Sequence, residues 1–428
     1  MAGPKRLSGY IQMDANLCTG CVLCMKICPT KAIRVRDGKA TRVQAKCIDC
    51  GECIRVCPKG AVKAVTTWSG EVELGPYTVV GASPTLYAQF GNEVLPNDIL
   101  LALRKVFHYV YDQAYAHEIY NAVTELHIKE NRGKEGALWP LISPVCPVVN
   151  RLIALRFPSL WKHVLPFIPP REIAAREMRK RFRAMKIFGE NEAAIYHISP
   201  CSAKMISIEQ PMFTQRSYLS GALGINEIYD LVAKNLPGED IDLILQVSSG
   251  VGIGWGMSGG EIAGLDDVAC LAVSGMQETI LYLEKIEMGL FRDIEYFEFR
   301  SCAEGCIGGP LTVADKYQAK GVLRSLGPMF GQGKRIRRSQ IYRHYLEGSF
   351  LSETKENPAL KHEKRLSIAD AIARQARIES VLQKLPGKEC GQCGSPDCKT
   401  FAEDVADGQA ALENCALLRS GKGGGTNP

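Results

Sequence analysis

The chain has 428 residues, which is enough for two to four domains and a large buried core. Its composition, 46% hydrophobic and 23% charged, is ordinary for a soluble globular protein, and its longest uncharged run, residues 243–260, contains six glycines and is not a membrane span. No apolar stretch follows the first residues, so we expect no signal peptide. The 17 cysteines then favour metal ligands in a reducing cytoplasm over disulfides.

Residues 1–75 contain an internal repeat of cysteines, offset by 47 − 18 = 29 residues. Each half reads Cys-x₂-Cys-x₂-Cys-x₃-Cys-Pro, the spacing of two-cluster ferredoxins, in which the fourth cysteine of each run ligates the other cluster. We therefore assign one [4Fe–4S] cube to Cys18, Cys21, Cys24 and Cys57, and a second to Cys47, Cys50, Cys53 and Cys28. A zinc site is the alternative, but zinc sites usually use two Cys-x₂-Cys pairs. Asp37 and Gly38 between the halves predict a β-hairpin.

The middle of the chain alternates candidate helices with candidate strands. Helical patterns cover residues 97–106, 115–129 and 171–188, and a fourth pattern, over 151–165, should be interrupted by Pro158. Buried-strand patterns cover residues 193–198, 242–247 and 291–299. This alternation predicts an α/β domain, in which cofactor ligands lie at the ends of strands. A basic cluster at residues 334–338 is either a solvated face or a docking patch for an acidic redox partner.

Three distant segments of this region carry cysteines beside proline, glycine or lysine. Residues 143–147 read Ser-Pro-Val-Cys-Pro, residues 199–204 read Ser-Pro-Cys-Ser-Ala-Lys, and residues 300–310 read Arg-Ser-Cys-Ala-Glu-Gly-Cys-Ile-Gly-Gly-Pro. Their four thiols, Cys146, Cys201, Cys302 and Cys306, make a complete ligand set for an Fe–S cube. A buried structural pair is the alternative for the last two. Cys270, in an apolar run, we expect to be a buried core thiol.

In this order the three segments resemble the catalytic domain of [FeFe] hydrogenases, over residues 76–380. The resemblance implies that the four thiols hold a [4Fe–4S] cube. It also implies that Cys306 bridges to a two-iron unit with CO, CN⁻ and a dithiolate, which completes the H-cluster. Lys204 would donate a charge-assisted hydrogen bond to a cyanide ligand. The glycine-rich segment 254–260, with Trp255, Ser258 and Gly259, would line the same pocket.

The family also implies a proton relay, which this sequence lacks in part. Val145 stands where active members place a proton-donating cysteine, and its side chain cannot carry a proton. Glu125 matches one member of the family's glutamate pair, whereas Ala122 occupies the place of the other. Ser199 and Arg300 replace methionines, and the family's Ser-Pro-Gln segment reads Pro-Pro-Arg at residues 169–171. The departures are similar to those of divergent [FeFe] hydrogenases to which a sensory role is assigned.

A replacement proton path has three candidates, Glu125, Glu304 and Cys270, and Glu304 comes first because it lies between two cluster ligands. We expect slow interconversion of H₂ with protons and electrons at an H-cluster. Electrons would be relayed through [4Fe–4S] clusters to ferredoxin or another redox protein. The alternatives are an H₂ or redox sensor that signals to a separate partner protein, and an electron-transfer subunit without turnover.

The C-terminal segment forms a third cysteine module. Cys390, Cys393, Cys398 and Cys415 resemble the small four-cysteine Fe–S domain of several redox proteins, with zinc as the alternative. We therefore divide the chain into a ferredoxin-like α+β domain (1–75), an α/β catalytic domain (76–380) and a small Fe–S domain (381–428), whose tail (420–428) we expect to be disordered. Four cubes of about −2 each would change the formal charge from +6 to about −2, which removes the argument for nucleic-acid binding.

Overall fold

The computed structural model describes residues 9–68, 77–185, 193–237, 242–354 and 367–421. These residues form two compact units. The first, which we call the α/β unit, contains residues 9–10 and 64–354 within those ranges, and the second, the cysteine-repeat unit, contains residues 11–63 and 367–421. Residues 11–63 and 367–421, which are far apart in the sequence, thus fold into one unit. No helix in the described ranges is long and apolar enough to cross a membrane.

The N-terminal half of the cysteine-repeat unit is built from short elements. They are β1 (Ile11–Met13), α1 (Leu23–Ile27), β2 (Ile33–Arg36), β3 (Lys39–Arg42), α2 (Glu52–Arg55) and β4 (Val62–Ala64). β1 pairs with β4, and β2 pairs with β3 in an antiparallel hairpin. Its turn places Asp37 at φ +50° and Gly38 at φ +70°, the left-handed pair of a two-residue turn, so the predicted hairpin is confirmed.

The α/β unit follows in the chain, and its strands and helices alternate. The strands are β5 (Tyr77–Ala82), β6 (Tyr109–Asp112), β7 (Leu141–Ile142), β8 (Ala193–Ser199), β9 (Gly221–Gly224), β10 (Cys270–Ser274) and β11 (Tyr296–Arg300). The helices are α3 (Pro84–Tyr87), α4 (Pro96–Arg104), α5 (Ala114–Asn131), α6 (Pro147–Arg156), α7 (Pro170–Ala184), α8 (Ala203–Glu209), α9 (Ile225–Asn235), α10 (Gly250–Gly254), α11 (Met276–Glu287), α12 (Lys316–Met329) and α13 (Arg338–Leu346). The cysteine-repeat unit then resumes with α14 (Ile368–Leu382), α15 (Cys398–Ala406) and α16 (Ala416–Gly421).

Two parallel sheets form the framework of the α/β unit. One has the strand order β6-β5-β8-β9 and the other β10-β11-β7, and every recorded pairing within them is parallel. Parallel sheets are covered on both faces, and all five residues of β11 are accordingly buried. Apolar residues of β5, β8, α4 and α9, such as Val80, Ile198, Leu100 and Ile228, form one core cluster. The predicted α/β architecture is confirmed.

Each cysteine segment of this unit follows the carboxyl end of a strand. The segment with Cys146 follows β7, the segment with Cys201 follows β8, and the segment with Cys302 follows β11. Pro147 and Pro170 open α6 and α7, where the fixed φ of proline suits the first helical turn and its missing N–H is not needed. At Cys146 and Cys201 the local sequence therefore turns the chain directly from strand end to cysteine to helix.

One predicted strand, over residues 242–247, is wrong. The segment has no regular structure, and the side chains of Leu243 and Ile244 are 51% and 73% exposed. The backbone N–H of Leu245 donates to Oδ1 of Asn97 at 2.8 Å, so a side chain and not a neighbouring strand satisfies it. An apolar run favours a buried strand only when the fold supplies a partner strand.

Other predicted elements differ at their ends. The strand predicted over 291–299 is the shorter β11, because Phe291 lies at φ +62°, a left-handed conformation that a strand does not contain. The helix predicted to break at Pro158 ends at Arg156, and a 3₁₀ helix, Pro158–His163, follows. The predicted helix 171–188 corresponds to α7, and the last part of that prediction, like most of the predicted disordered tail, lies outside the described residues.

The basic cluster 334–338 is not a uniform solvated face. The side chain of Lys334 is 8% exposed and pairs with Glu125 at 2.7 Å and with Asp266 at 3.6 Å. The backbone N–H of Arg335 donates to the carboxylate of Glu118 at 2.9 Å. These contacts fasten the start of the cluster to α5, because both glutamates belong to that helix.

Candidate functional site

Two cavities in the cysteine-repeat unit contain the eight cysteines of the repeat. The first comprises about 410 Å³ of space, open solvent included, and Cys18, Cys21, Cys24 and Cys57 line it among mostly apolar residues. The second encloses about 340 Å³, and Cys28, Cys47, Cys50 and Cys53 line it. Each cavity thus combines three cysteines of one run with the fourth of the other, which is the grouping that the spacing predicts.

The two cavities also repeat the same backbone contact. The N–H of Ala32 donates to Sγ of Cys28 at 3.2 Å, and the N–H of Ala61 donates to Sγ of Cys57 at 3.3 Å. Each donor lies four residues after its cysteine. Such N–H donors stabilise negative charge on sulfur, and ligation to a metal deprotonates a thiol. Burial and neighbouring thiolates otherwise raise the pKa of the Cys53 thiol to about 12.

The third cysteine set lies around α15. Cys398 is the first residue of that helix, and Cys415 immediately precedes α16. Burial, with the fields of Cys415 and Cys390, raises the pKa of Cys393, so these three thiols are near one another. Gly391 lies at φ +71°, a conformation that glycine adopts without strain, and it lets the loop bend between two of the cysteines.

This C-terminal loop packs on the ferredoxin-like half of the same unit. The carbonyl of Gly394 accepts a hydrogen bond from the N–H of Val35 at 2.9 Å. A Cβ added at Gly391 would lie 3.2 Å from Cε of Met25, the residue next to Cys24. The third cysteine set therefore lies beside the first cavity, although the whole α/β unit separates the two segments in the chain.

A buried ion pair joins the two halves of the cysteine-repeat unit. Asp404, on α15, accepts hydrogen bonds from Nε and Nη2 of Arg34 at 2.5 and 2.8 Å. Arg36 and Ser395 donate to the same carboxylate at 3.1 and 2.7 Å. The side chains of Arg34 and Asp404 are only 5% and 4% exposed, so this is a desolvated, bidentate pair.

The four cysteines of the α/β unit converge beyond β7, β8 and β11. Sγ of Cys146 lies 3.6 Å from Oγ of Ser301, and that hydroxyl lies 3.9 Å from Sγ of Cys302. Burial raises the pKa of Cys201, and the thiolates of Cys306 and Cys146 raise it further. The structure thus gathers four thiols from three distant segments in one place.

Close backbone approaches fix the loop that contains Cys302 and Cys306. Gly305 lies at φ +93°, and a Cβ there would lie 2.5 Å from the backbone nitrogen of Ser258. A Cβ at Gly309 would lie 2.3 Å from the carbonyl oxygen of Pro200, next to Cys201. The N–H of Ser258 donates to the carbonyl of Glu304 at 2.9 Å. Residues 254–260, singled out in the sequence, therefore lie against the cysteine loop.

Trp255 and Gly259 connect this loop to buried polar groups. The indole N–H of Trp255 donates to Oδ1 of Asn121 at 2.9 Å, and the guanidinium carbon of Arg300 lies 4.8 Å from its ring centroid. Gly259 donates its N–H to Glu298 at 3.1 Å. Trp255 is 2% exposed, so it closes the pocket wall and is not accessible to solvent.

A buried charge network beside the cysteines was not foreseen from the sequence. Nη2 of Arg300 lies 2.7 Å from Glu261 and 3.7 Å from Glu298, and all three side chains are at most 1% exposed. Tyr296 and Ser143 also donate to Glu261, at 2.6 and 3.0 Å. Tyr296, Glu298 and Arg300 alternate along one strand and so lie on one face of it. This alternation was the feature of the sequence from which the network could have been predicted.

Two buried cations face the thiols. Lys204 is 9% exposed, and burial lowers its pKa while the thiolates of Cys306 and Cys201 oppose that shift. Within the described ranges, no carboxylate or carbonyl accepts a hydrogen bond from its ammonium. Burial likewise lowers the pKa of Arg171, against the field of Glu172 and then those of Cys201 and other cysteines. Buried cations need an anionic partner, so the donor set and its surroundings fit a cluster of net negative charge.

The cysteine sets differ from a mononuclear metal site. Within the described residues, no group of three or more His, Cys, Asp or Glu side chains is arranged to hold a single metal ion. A [4Fe–4S] cube distributes its four thiolates over four iron atoms, so its ligands need not converge on one point.

Three family models match three stretches of the chain. Residues 76–266 match the C-terminal domain of the iron-only hydrogenase large subunit, residues 10–58 match a 4Fe-4S dicluster domain, and residues 385–416 match an Fe-S cluster domain. The chain has the domain architecture of an [FeFe] hydrogenase. The first match includes Cys146 and Cys201 and ends before Cys302 and Cys306. The other two include every cysteine of their modules.

A solved [FeFe]-hydrogenase structure has a similar fold. It comes from work on the oxygen inactivation of [FeFe]-hydrogenase, which begins with modification and degradation of the 2Fe subcluster of the H cluster. Its sequence is 14% identical to this chain, and the TM-score is 0.50. The match covers 66% of this chain and 94% of that chain. A variant of the [FeFe]-hydrogenase HydA1 from Chlamydomonas reinhardtii is 14% identical with a TM-score of 0.49, over 63% of this chain and 89% of that chain. At 14% identity, the first of these two similarities shows the fold alone.

Curated relatives match only a short segment. The corrinoid/iron-sulfur protein large subunit of Moorella thermoacetica is 46% identical over 38 residues, which are 9% of this chain and 8% of the relative. A component of the ion-translocating oxidoreductase complex of Azoarcus sp. (strain BH72) is 40% identical over 38 residues, 9% of this chain and 21% of the relative. The chain thus spans a small part of either relative.

The hydrogenase-like unit places Val145 and Glu125 in surroundings that oppose proton transfer. Val145 is buried in an apolar cluster with Trp255. Burial alone would raise the pKa of Glu125, but hydrogen bonds from Lys129 and Lys334, at 2.8 and 2.7 Å, hold it below its ordinary value. At neutral pH Glu125 is therefore an ion-paired carboxylate.

Glu304 and Cys270 have different surroundings. Glu304 lies at φ +64° between two of the cysteines, and its carboxylate pairs with Lys320 at 2.5 Å. Cys270 opens β10 and is only partly buried, so the expectation of a fully buried thiol is wrong. Burial and then the field of Glu295 raise its pKa to about 12, which keeps the thiol protonated at neutral pH.

Proposed function

We propose that this protein binds an H-cluster in the α/β unit and interconverts H₂ with protons and electrons slowly. The observation that carries the proposal is the ammonium of Lys204, buried among cysteine thiols and without a carboxylate or carbonyl acceptor in the described part of the chain. A desolvated cation of this kind is unfavourable unless an anion joins it. The match to the iron-only hydrogenase domain, which includes Lys204, gives further support.

The residues of the site have separate tasks in this proposal. The cube ligands are Cys146, Cys201, Cys302 and Cys306. Cys306 would also hold the two-iron unit, which would supply the H₂ chemistry when bound. Lys204 would donate a charge-assisted hydrogen bond to a cyanide ligand of that unit. Trp255, Ser258 and Gly259 close the pocket, and the buried indole keeps water from this side.

Electrons move through the cysteine-repeat unit in this proposal. Its cysteine sets bind three further [4Fe–4S] clusters, and the packing of Gly391 on Met25 brings the C-terminal set close to the first ferredoxin set. Ferredoxin or another redox protein exchanges electrons with this unit.

Proton supply limits the rate in this proposal. An aliphatic side chain at Val145 cannot relay a proton, and the two lysines paired with Glu125 hold that carboxylate ionised. Positioned proton donors contribute about 10²–10⁴-fold to rates, so their loss lowers turnover by a similar factor. Glu304 remains the first candidate for a replacement, because its side chain is 24% exposed and its backbone belongs to the ligand loop.

A sensor of H₂ or of redox state is the second candidate function. One contrast favours it. The thiols and Lys204 lie together and suit cofactor binding, whereas the apolar side chains around Val145 cannot carry the protons that turnover needs. In that case a separate protein receives the signal. A catalytic rate close to that of relay-complete hydrogenases would exclude this second function.

Infrared spectroscopy of protein matured with the two-iron unit tests the cofactor. Bands of CO and CN⁻ are expected, and they should disappear in Cys306→Ala while the other clusters remain. Cys270→Ala is the matched control, since this thiol is outside all four sets and should leave the bands unchanged. Normal bands in Cys306→Ala would contradict the bridging role.

A further inference from the structure

A cleft of the α/β unit, next to the segment of Cys146, contains three buried polar side chains with unused hydrogen-bonding atoms. About 290 Å³ of space, a figure that includes open solvent at its mouth, lies between Pro147, Pro169 and the loop of Phe213. Its lining includes Asn150 and Thr214, each 2% exposed, and Arg171, 6% exposed. We call it the Arg171 cleft.

The unused atoms include both donors and an acceptor. Nε of Arg171, Oγ1 of Thr214 and Oδ1 of Asn150 have no hydrogen-bond partner within the described chain. Buried polar atoms are almost always paired, with protein, water or ligand. Three such atoms on residues that line one cleft therefore indicate a site for a polar molecule.

The charge at the cleft favours an anion. The guanidinium of Arg171 makes one recorded hydrogen bond, from Nη2 to Oγ of Ser207 at 2.9 Å. Glu172 also lines the cleft, but its carboxylate accepts from Ser217 Oγ at 2.8 Å and from the N–H of Tyr218 at 2.8 Å, and is engaged elsewhere. Because Glu172 offsets part of the positive charge, a single negative charge on the ligand suffices.

Two helices direct their N-termini toward the same place. Pro147 is the first residue of α6, which has 10 residues, and Arg171 is the second residue of α7, which has 15 residues. Both line the cleft. Helix N-termini carry partial positive charge and bind anions, so they add to the field of the guanidinium.

Asn150 indicates a second property of the ligand, namely a hydrogen-bond donor. Its amide nitrogen donates to the carbonyl of Pro144 at 2.6 Å, which leaves the oxygen as the free atom. An oxygen acceptor does not bind a carboxylate, but it accepts from a hydroxyl. We propose that the Arg171 cleft binds a small 2-hydroxycarboxylate, the size of glycolate or lactate, with its carboxylate on Arg171 and its hydroxyl on Asn150.

Part of the lining of the cleft is apolar and held in place. The ring of Phe213 stacks on Trp161, with centroids 5.9 Å apart and an interplanar angle of 19°. The carbonyl of Phe213 accepts from the N–H of Glu353 at 2.9 Å. Met212 and Phe213 supply a surface for a short alkyl group, and a preformed wall lowers the entropic cost of binding.

Calorimetric titration tests the proposal on the full chain with its iron–sulfur clusters and without the two-iron unit. This choice makes the result independent of the proposed hydrogenase activity. Glycolate and lactate are compared with acetate and propionate, which keep the charge and lose the hydroxyl. We expect saturable binding of the hydroxy acids at one site. The acids without the hydroxyl should bind about 5-fold or more weakly, because Asn150 then stays unpaired.

Two variants and one control complete the test. Thr214→Val, which is nearly isosteric, should weaken lactate binding about 2- to 10-fold, and Arg171→Gln should weaken it at least about 10-fold. Arg156→Gln removes an arginine whose side chain is 43% exposed and should leave the affinity unchanged. Thr214→Val and the ligand series decide the question even if Arg171→Gln fails to fold.

Three results would each overturn the proposal. They are no saturable binding of lactate by the wild type, equal affinity for lactate and propionate, and unchanged lactate affinity in Thr214→Val. Inorganic phosphate that binds as tightly as lactate would also contradict it, since the cleft would then recognise charge alone.

Discussion

The ion pair between Arg34 and Asp404 should decide whether the two halves of the cysteine-repeat unit stay together. Removal of one partner from a buried pair costs about 3–5 kcal/mol, because the other charge stays buried without compensation. Asp404→Ala removes the acceptor of both Arg34 bonds, at 2.5 and 2.8 Å, and the acceptor of Ser395. We therefore expect the free energy for local detachment of the C-terminal half to be about 3–5 kcal/mol lower in this variant than in the wild type.

The neighbouring residue supplies a matched control. Glu403 lies on the same helix and pairs with Lys46 at 2.9 Å, but the two side chains are 24% and 40% exposed. Exposed pairs contribute about 0–1 kcal/mol, so Glu403→Ala should have little effect. Both variants remove one carboxylate from α15, but only Asp404→Ala removes it from a buried ion pair. A difference between them therefore measures the effect of burial.

Hydrogen exchange measured by mass spectrometry on α15 peptides reports this local opening. A loss of 3–5 kcal/mol corresponds to exchange about 10²–10⁴-fold faster in Asp404→Ala. Glu403→Ala should exchange within about 5-fold of wild type. Equal exchange rates in the two variants would refute the reasoning, since the buried ion pair would then stabilise the contact of α15 no more than the exposed pair does.

The same pair predicts a pH dependence. Burial alone would raise the pKa of Asp404, but hydrogen bonds from Arg34 and Ser395 hold it below the ordinary value of 3.8. A carboxyl whose pKa is lower in the folded state stabilises the fold above its unfolded pKa, and the stabilisation is lost as the pH falls through the folded pKa. Protection of α15, corrected for intrinsic exchange, should therefore decrease only below about pH 4.

Three further predictions concern cluster content, proton supply and the buried network. The full chain reconstituted anaerobically without the two-iron unit should bind about 16 iron atoms, and Cys415→Ser about 12, by metal analysis; 16 in the variant would contradict the C-terminal assignment. At equal cofactor loading, Val145→Cys should raise H₂ oxidation by about 10²-fold or more and Glu304→Gln should slow it, whereas a fast wild type and unaffected variants would exclude proton supply as the limit. Arg300→Met should lower the free energy of unfolding of the α/β unit by about 3–5 kcal/mol, because Glu261 stays buried without its partner, and the double variant with Glu261→Gln should recover part of that loss in thermal unfolding.

The sequence predicted features whose cause is local. Cluster geometry requires cysteines at short, regular spacing, so the two ferredoxin sets could be grouped from the repeat alone, and the cavities group them in the same way. The Asp-Gly turn is local in the same sense, because only its own two residues need left-handed angles. Likewise, Pro158 marks the end of α6 since proline lacks an N–H.

Features that depend on distant partners could not be predicted from the sequence. Arg34 and Asp404 are 370 residues apart, and no local pattern around either one indicates the other. The same holds for Glu261, in a glycine-rich loop, which joins Arg300 only once the loop and β11 are packed. The strand predicted for residues 242–247 was wrong for a related reason. The apolar composition is a local feature, but a strand also needs a partner strand, and the described fold has none beside this segment.

The field of the buried cations should set the reduction potential of the cube that we propose for the four cysteines of the α/β unit. By resemblance to the family, Arg171 and Arg300 stand where glutamine and methionine are usual, so both add positive charge near Cys306. A nearby cation stabilises the reduced, more negative state of a cluster and raises its potential. Glu261 offsets Arg300 through a direct ion pair at 2.7 Å, whereas Glu172 acts on Arg171 only through its field, without a recorded ion pair between them in the described residues. Arg171→Gln should therefore lower the midpoint potential of the cube more than Arg300→Met does, as measured by redox titration with EPR detection. A saturating carboxylate in the Arg171 cleft should shift the wild-type potential in the same direction. A rise in potential in Arg171→Gln would show that this arginine does not act on the cluster through its charge.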